Sequence, residues 1–410
     1  LERTSSGCLT LFFVKSIVTS NSNLPDQTRN GVTLHRFILF SVLFSILVLL
    51  PYGLAFLESP DEVVFQGLLI NPVDGNSYLA KMYQGWQGSW QFKLPYTAEP
   101  GDGAYLFLYY LLLGHLAHWT GQSLILVYHL ARWLGALFLL WALRKFFTSL
   151  GFSEKTASRA FVLTALGAGM GWLVFLTGQF TADFWVAEAY PFLSAYANPH
   201  FPLGLGLMLF LLAAPVTKRE GQNPVLSVQT VIQAIAAFWL AVLSPFGVVI
   251  VFLVTVGCLA WQEVRFYTVQ SRFAAGRPRF IQILRNPVFQ PEWMMLLLLL
   301  AAGFPLLFYD LIAANNHPVL AIWNAQNLTP SPPVWDVLLS FSPAILLAII
   351  GVISRLRNTA WQADMLIIWL LTSLVLMYFP WGLQRRFMLG LYVPTAGLAV
   401  VGLDYLAERI

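Results

Sequence analysis

The sequence predicts an all-α, polytopic transmembrane helix bundle of about ten spans, with juxtamembrane interfacial helices in its first outer loop. Three observations carry that expectation. Of 410 residues, 58% are hydrophobic and 10% charged, with a mean hydropathy of +0.69. A soluble domain carries about 25% charged residues, so this chain lacks the polar surface to face water on all sides. Apolar runs of spanning length recur from residue 37 onward. Finally, Lys and Arg gather in alternate loops, as cytoplasmic loops do. The 15 Trp, 15 Tyr and 32 Phe supply the rings that anchor such a bundle at both interfaces. Two cysteines, Cys8 and Cys258, exclude a disulfide framework. A net charge of +4, set mostly by loops between spans, points to no nucleic-acid partner.

Residues 1–36 are mixed and polar, and are expected to form a cytoplasmic segment. Their apolar stretch Leu9–Val18 is too short to span, and it lacks the basic start and cleavage site of a signal peptide. Residues 37–410 then form one transmembrane domain, without internal repeat or soluble C-terminal module. Spans are expected at 37–57, 124–143, 160–177 and 201–216. The apolar run 228–261 is too long for one crossing, and Ser244-Pro245 interrupts it where proline removes a backbone donor. It divides into helices 228–243 and 246–261. The last spans fall at 293–310, 335–353, 364–380 and 387–405.

The segment 104–119 is also apolar, but as a span it would put Arg144, Lys145 and every later basic loop outside. Lying at the interface instead, it leaves Arg144, Lys145, Lys155, Arg159, Lys218, Arg219, the stretch Arg265 to Arg285, Arg355 and Arg357 all inside. Both termini are then cytoplasmic. The outer segments are 58–123, a large structured loop, with 178–200, 311–334 and 380–386.

Unusual polar residues collect in these outer segments. After Asp74, the residues Tyr78, Leu79, Met82, Tyr83 and Trp86 recur at helical spacing, with Asn76, Lys81 and Gln84 between them. Such a helix lies flat in the headgroup region. Asp74 stands at its N-terminus, where the dipole favours a carboxylate, although capping alone would justify an Asp there. The second outer segment holds Asp183, Glu188, Asn198 and His200, with His200 leading into the next span. Single polar side chains at a membrane boundary are ordinary; four in one short loop are less so. Arg385 and Arg386 fall on the outer face, where basic residues are depleted. Paired guanidinium groups suit a fixed phosphate, against the plainer alternative of headgroup snorkelling. Asp310, Asn315, Asn316 and His317 are weaker candidates, and Asn327-Leu328-Thr329 is a sequon by letter.

The order of these features resembles the first outer loop of the GT-C superfamily of membrane glycosyltransferases, which includes protein mannosyltransferases and lipid A aminoarabinose transferases. Asp74, Tyr78 four residues on, an interfacial helix, Gly88-Ser89-Trp90, Pro95, Glu99-Pro100 and a Leu/Tyr-rich stretch follow in sequence. His129-Leu130-Ala131-Arg132 before Arg144-Lys145 is similar to the family's next helix. Phe379-Pro380-Trp381, Arg385-Arg386-Phe387 and Tyr392-Val393-Pro394 are similar to the approach to its last core helix. Departures are clear: Asp74 is followed by Gly75 where the family often has an Asp-Glu pair, and Asp61-Glu62 lies earlier. No Trp-Trp-Asp-x-Gly motif is present.

The resemblance implies an enzyme that transfers a sugar from a polyprenyl phosphate to an acceptor hydroxyl, on the outer face of a membrane (a bacterial cytoplasmic membrane, facing the periplasm). It casts Asp74 as general base, an aspartate being ionised at neutral pH. Arg385 and Arg386 would bind the donor phosphate, and Tyr78, Lys81, Glu99 and His200 would line the substrate. Glu188 or Asp183 would orient the acceptor or hold a divalent cation (Mg or Mn), though two carboxylates are a thin ligand set. The alternatives are a transporter or flippase for a lipid-linked substrate, with Ser244-Pro245 as a broken pathway helix, or a non-catalytic scaffold. The gathering of charge in outer loops rather than within spans favours interfacial chemistry.

Overall fold

A computed structural model describes residues 34–60, 62–213, 228–270, 290–357 and 363–409. The expected N-terminal segment up to residue 33, Asp61, Lys218, Arg219 and the loop 271–289 lie outside the described residues. Every element described is helical, apart from an isolated antiparallel bridge between Phe92 and Ala104.

In chain order the α-helices longer than a few residues are α1 (Leu34–Leu57), α2 (Pro72–Trp86), α3 (Leu108–Thr120), α4 (Leu124–Ser149), α5 (Glu154–Leu166), α6 (Pro191–Ala197), α7 (His200–Ala213) and α8 (Val228–Leu243), with single turns at Trp172–Phe175 and Ala182–Trp185 between α5 and α6. They continue with α9 (Pro245–Gln270), α10 (Gln290–Leu298), α11 (Phe304–Asn316), α12 (Pro318–Gln326), α13 (Val334–Ser340), α14 (Ala344–Arg357), α15 (Asp364–Met377) and α16 (Tyr392–Ala407). A π-helical turn, Leu299–Gly303, joins α10 to α11, and a 3-10 helix, Gln384–Met388, precedes α16. Local chemistry sets several starts. Ser123 and Ser153 cap α4 and α5 by accepting from Leu126 N and Thr156 N at 3.3 and 3.2 Å. Pro245 opens α9 one residue after the break at Ser244, as the apolar run 228–261 required.

Five stretches are long and apolar enough to cross a membrane: α1, α4, Pro245–Arg265, Glu292–Asn316 and Gln384–Ala407. The pair α13 and α14, bent by 87°, makes a sixth if counted as one span, and α7, α8 and α15 are shorter apolar helices. These fit a polytopic integral membrane protein. The Gln384–Ala407 stretch is 83% buried against 17% for α1, so α16 is the central strut and α1 a peripheral span. Around α16 pack α14, α5 and α15, and α4 packs along α7.

The expected span 160–177 is not one helix. It ends at Leu166, and Gly167-Ala168-Gly169-Met170-Gly171 runs as an irregular chain. Three glycines weaken the helix there, and backbone groups freed within an apolar bundle need protein partners. Three of them are met from elsewhere in the chain. Met170 N donates to Leu339 O at 3.1 Å, Gly171 N to Asp183 Oδ2 at 3.0 Å, and Tyr392 Oη to Ala168 O at 3.4 Å. Gly169 is demanded by approach, since a Cβ there would lie 1.8 Å from Ser340 O.

Helix α15 separates two polar clusters. At its start, Asp364 pairs with Arg355 at 2.6 Å and Arg265 at 2.8 Å, and accepts from Trp261 Nε1 at 2.8 Å. Beyond its other end lie Arg385 and Arg386. With 14 residues at a 1.5 Å rise, α15 spaces these ends about 20 Å apart.

Candidate functional site

The site is assembled from three segments far apart in sequence. The first is α2. It begins at Pro72 behind Asn71, whose side chain makes no cap hydrogen bond, so Asp74 sits within the first turn, two residues later than the expected helix start would have it. Asp74 is exposed and lies where the helix dipole favours negative charge. One turn on, Tyr78 stacks on Tyr110 of α3 with centroids 4.4 Å apart and planes 7° from parallel. The next turn brings Lys81, buried under the rings of Tyr78, Phe92 and Phe107 at 4.9, 5.5 and 4.4 Å, with its ammonium donating to Ser77 Oγ at 2.6 Å.

Helix α2 is set in place by backbone contact with α3. A Cβ at Gly85 would lie 2.0 Å from Leu111 O, and one at Gly114 1.8 Å from Met82 O. Small residues at both crossing points let the two backbones touch.

The second segment is the loop before α7. Glu188 is buried, and its backbone is tied to the third segment: Gly390 N donates to Glu188 O at 2.9 Å and Tyr392 N to Ala189 O at 3.2 Å. The third segment is the 3-10 helix, which delivers both arginines to that carboxylate. Arg385 Nε stands 3.4 Å and Arg386 Nη1 3.9 Å from Glu188 Oε1. The Arg385 guanidinium also lies over the Trp185 ring at 4.7 Å.

All three segments meet at Tyr78. Burial raises its phenol well above the ordinary tyrosine value, and the fields of Arg386, Asp74, Glu188 and Arg385 act on it in that order. Tyr110, buried beside it, is raised likewise by burial and by the neighbouring tyrosines. Tyr110 Oη and His200 Nδ1 share a hydrogen bond at 2.6 Å. His200 in turn stands edge-on to Tyr78 at 5.0 Å.

Lys81 gives a pH prediction. Burial lowers its pKa from the ordinary lysine value, with Asp74 opposing that shift. A lysine lowered in the folded state penalises folding while it is charged, and the penalty lifts as pH rises from the depressed value towards about 10.4. Wild type is therefore expected to gain thermal stability over that window relative to Lys81→Met. Melting curves of the two proteins across alkaline pH check this; parallel curves would contradict it.

Among the expected site residues, Asp74, Tyr78, Lys81, Glu188, His200, Arg385 and Arg386 come together, and two do not. Asp183 has both oxygens committed: Oδ2 accepts from Gly171 N at 3.0 Å and Oδ1 from Thr181 Oγ1 at 2.7 Å. It clasps the broken segment after α5. Glu99 lies in an exposed turn, and its backbone N–H donates to Thr97 Oγ1 at 3.3 Å. Of the weaker candidates, His317 is a strut: Nδ1 accepts from Leu320 N at 3.2 Å, so Nε2–H donates to Asp102 O at 2.6 Å.

Sequence reasoning missed Tyr110, Trp185 and Thr329. Tyr110 sits in an apolar run without a distinguishing pattern, and the other two act only through tertiary contact with the arginines. The His129–Arg132 pair proves to be a brace. Arg132 is fully buried in α4 and donates to Ala195 O and Tyr196 O at 3.2 and 2.9 Å, closing the end of α6. Its Nε donates to His129 Nδ1 at 3.3 Å, which leaves His129 Nε2–H to donate to Gly67 O at 2.9 Å. The two loops that flank the site are thereby aligned.

Among the described residues, no three His, Cys, Asp or Glu side chains gather as a metal site. Glu188 already faces two arginines, so a divalent cation finds no ligand set there. Comparison of the chain with protein-family models and with curated proteins finds no match.

Proposed function

We propose that this chain is a GT-C-type membrane glycosyltransferase of about ten spans, working on the outer face of a bacterial cytoplasmic membrane. It transfers a sugar from a polyprenyl phosphate to an acceptor hydroxyl. The observation that carries the reading is the charge balance around Tyr78. Three cations, Lys81, Arg385 and Arg386, face two carboxylates, Asp74 and Glu188, leaving one positive charge in excess. A sugar phosphodiester carries a single negative charge. A lipid tail can lie among the exposed apolar faces of the spans while its phosphate and sugar stay with these side chains.

In the proposed step the acceptor O–H gives its proton to Asp74 as its oxygen attacks the anomeric carbon. The bond from that carbon to the phosphate oxygen breaks on the far face, so the centre inverts. Polyprenyl phosphate leaves with its new charge held by Arg386, an electrostatic task that needs no proton transfer. The His200 imidazole and the Tyr78 phenol are hydrogen-bonding groups beside the phosphate. The gathering of five charged side chains around Tyr78 favours this over a transport pathway, since Arg132, the buried charge within α4, is taken up by the carbonyls of Ala195 and Tyr196.

The test is transfer of labelled sugar by purified wild type in proteoliposomes supplied with a panel of polyprenyl-phosphate sugars and simple acceptor alcohols, peptides and lipids. Labelled product with release of polyprenyl phosphate supports the assignment. Movement of the intact donor across the bilayer without release of phosphate would sink it in favour of a transporter.

A further inference from the structure

Glu188 and Arg385 are paired in charge but not in hydrogen bonding. Charged N–H···O contacts normally close to about 2.7–2.9 Å, yet Glu188 Oε1 and Arg385 Nε stand 3.4 Å apart. Both atoms are shut off from solvent and neither has a hydrogen-bond partner. Each is held from behind. The Glu188 backbone is fastened to Gly390, and Arg385 is pinned by the Trp185 ring and by its own N–H, which donates to Thr329 O at 3.0 Å. Thr329 N donates to Gly382 O at 2.7 Å, so this support is itself fixed, and Thr329 Oγ1 is a third buried atom without a partner. Buried charged groups left unbonded are costly, and natural proteins keep few of them.

We propose that Glu188 Oε1 and Arg385 Nε form a hydroxyl-binding subsite that reads a sugar hydroxyl of the donor. A hydroxyl satisfies both atoms at once, donating its proton to the carboxylate and accepting from the guanidinium. A phosphate oxygen cannot, because it has no proton to give and would meet Glu188 as a like charge. The two arginines therefore divide the donor: Arg385 with Glu188 takes the sugar, and Arg386, farther from the carboxylate and more open at 28% side-chain exposure against 20%, takes the phosphate. This rests on the glycosyltransferase reading and adds a determinant of sugar choice to it.

The experiment is equilibrium binding of labelled undecaprenyl phosphate, bare or carrying one of a panel of hexoses and pentoses, to the full chain in nanodiscs. Wild type is expected to bind at least one sugar-bearing lipid about 10–100-fold more tightly than the bare phosphate. Glu188→Ala should erase that preference while binding bare undecaprenyl phosphate at least as well, since a repelling carboxylate is gone. Glu188→Gln keeps the volume and should lose most of the preference. Arg386→Ala should weaken bare and sugar-bearing lipids in parallel. The proposal is overturned if both Glu188 variants weaken all the lipids equally, which would make Glu188 only a brace, or if wild type shows no sugar preference. Wild type that binds no polyprenyl phosphate at all overturns the underlying reading as well, a result distinct from either of these.

Discussion

Asp74→Asn is expected to lower sugar transfer by about 10²–10⁴-fold, the range a positioned general base supplies, while donor binding stays near wild type. The substitution preserves size and keeps a polar group in the first turn of α2, where helix formation does not depend on a cap from Asp74 because the chain enters through Asn71 and Pro72. The dipole interaction it gives up is about 0.3–1 kcal/mol, too little to unfold a helix anchored on α3. Transfer rate and melting temperature, measured on the same preparation, separate the two effects. Equal transfer by both proteins would reduce Asp74 to a helix-dipole partner and move the base to Glu62 or Glu188. A parallel fall in rate and melting temperature would mean that the carboxylate is structural.

Gly114→Val is expected to cost stability and nearly all activity. The first atom of the new side chain would fall 1.8 Å from Met82 O, a backbone atom that no rotamer change can move aside. Overpacking of this kind typically costs about 1–3 kcal/mol or more, and relief requires α2 to lift off α3. That displacement separates Tyr78 from Tyr110 and carries Asp74 away from the arginines, so activity should fall even in protein that still folds. Gly53→Ala in α1 is the control, since nothing lies within 4 Å of its Cβ position. A Gly114→Val protein with wild-type melting and transfer would show that the crossing does not position the site.

The parts of the fold governed by local chemistry were legible in the sequence. Hydropathy located α1, α4 and the 292–316 stretch, and Pro245 marked the division of the long apolar run. Hydropathy also misled, because it weighs Gly167, Gly169 and Gly171 as mildly apolar and is blind to what holds them. Their irregular path exists only because Leu339, Asp183 and Tyr392 arrive from elsewhere to bond it. For the same reason Asp183 looked like a free carboxylate in an outer loop, whereas it is an internal clasp.

At the candidate site, residue type and position between the expected spans were enough to single out Asp74, Glu188, Arg385 and Arg386, because charge next to apolar stretches is costly and stands out. Their roles within the cluster were not legible. The 3.4 Å gap between Glu188 and Arg385 depends on how Trp185 and Thr329 hold the guanidinium, and Tyr110 enters only through its stack on Tyr78. Such pairings join positions far apart in the chain, and no spacing rule within one segment encodes them.

The most direct measurement is photo-crosslinking of the purified protein with a polyprenyl phosphate carrying a diazirine next to its phosphate, followed by peptide mapping. Adducts concentrated in Pro72–Trp86 and Gln384–Tyr392, and competed away by unmodified polyprenyl phosphate, are the predicted result. Adducts along α8, α9 and the π-helical turn instead, or none that unmodified lipid displaces, would contradict a donor site between α2 and the paired arginines.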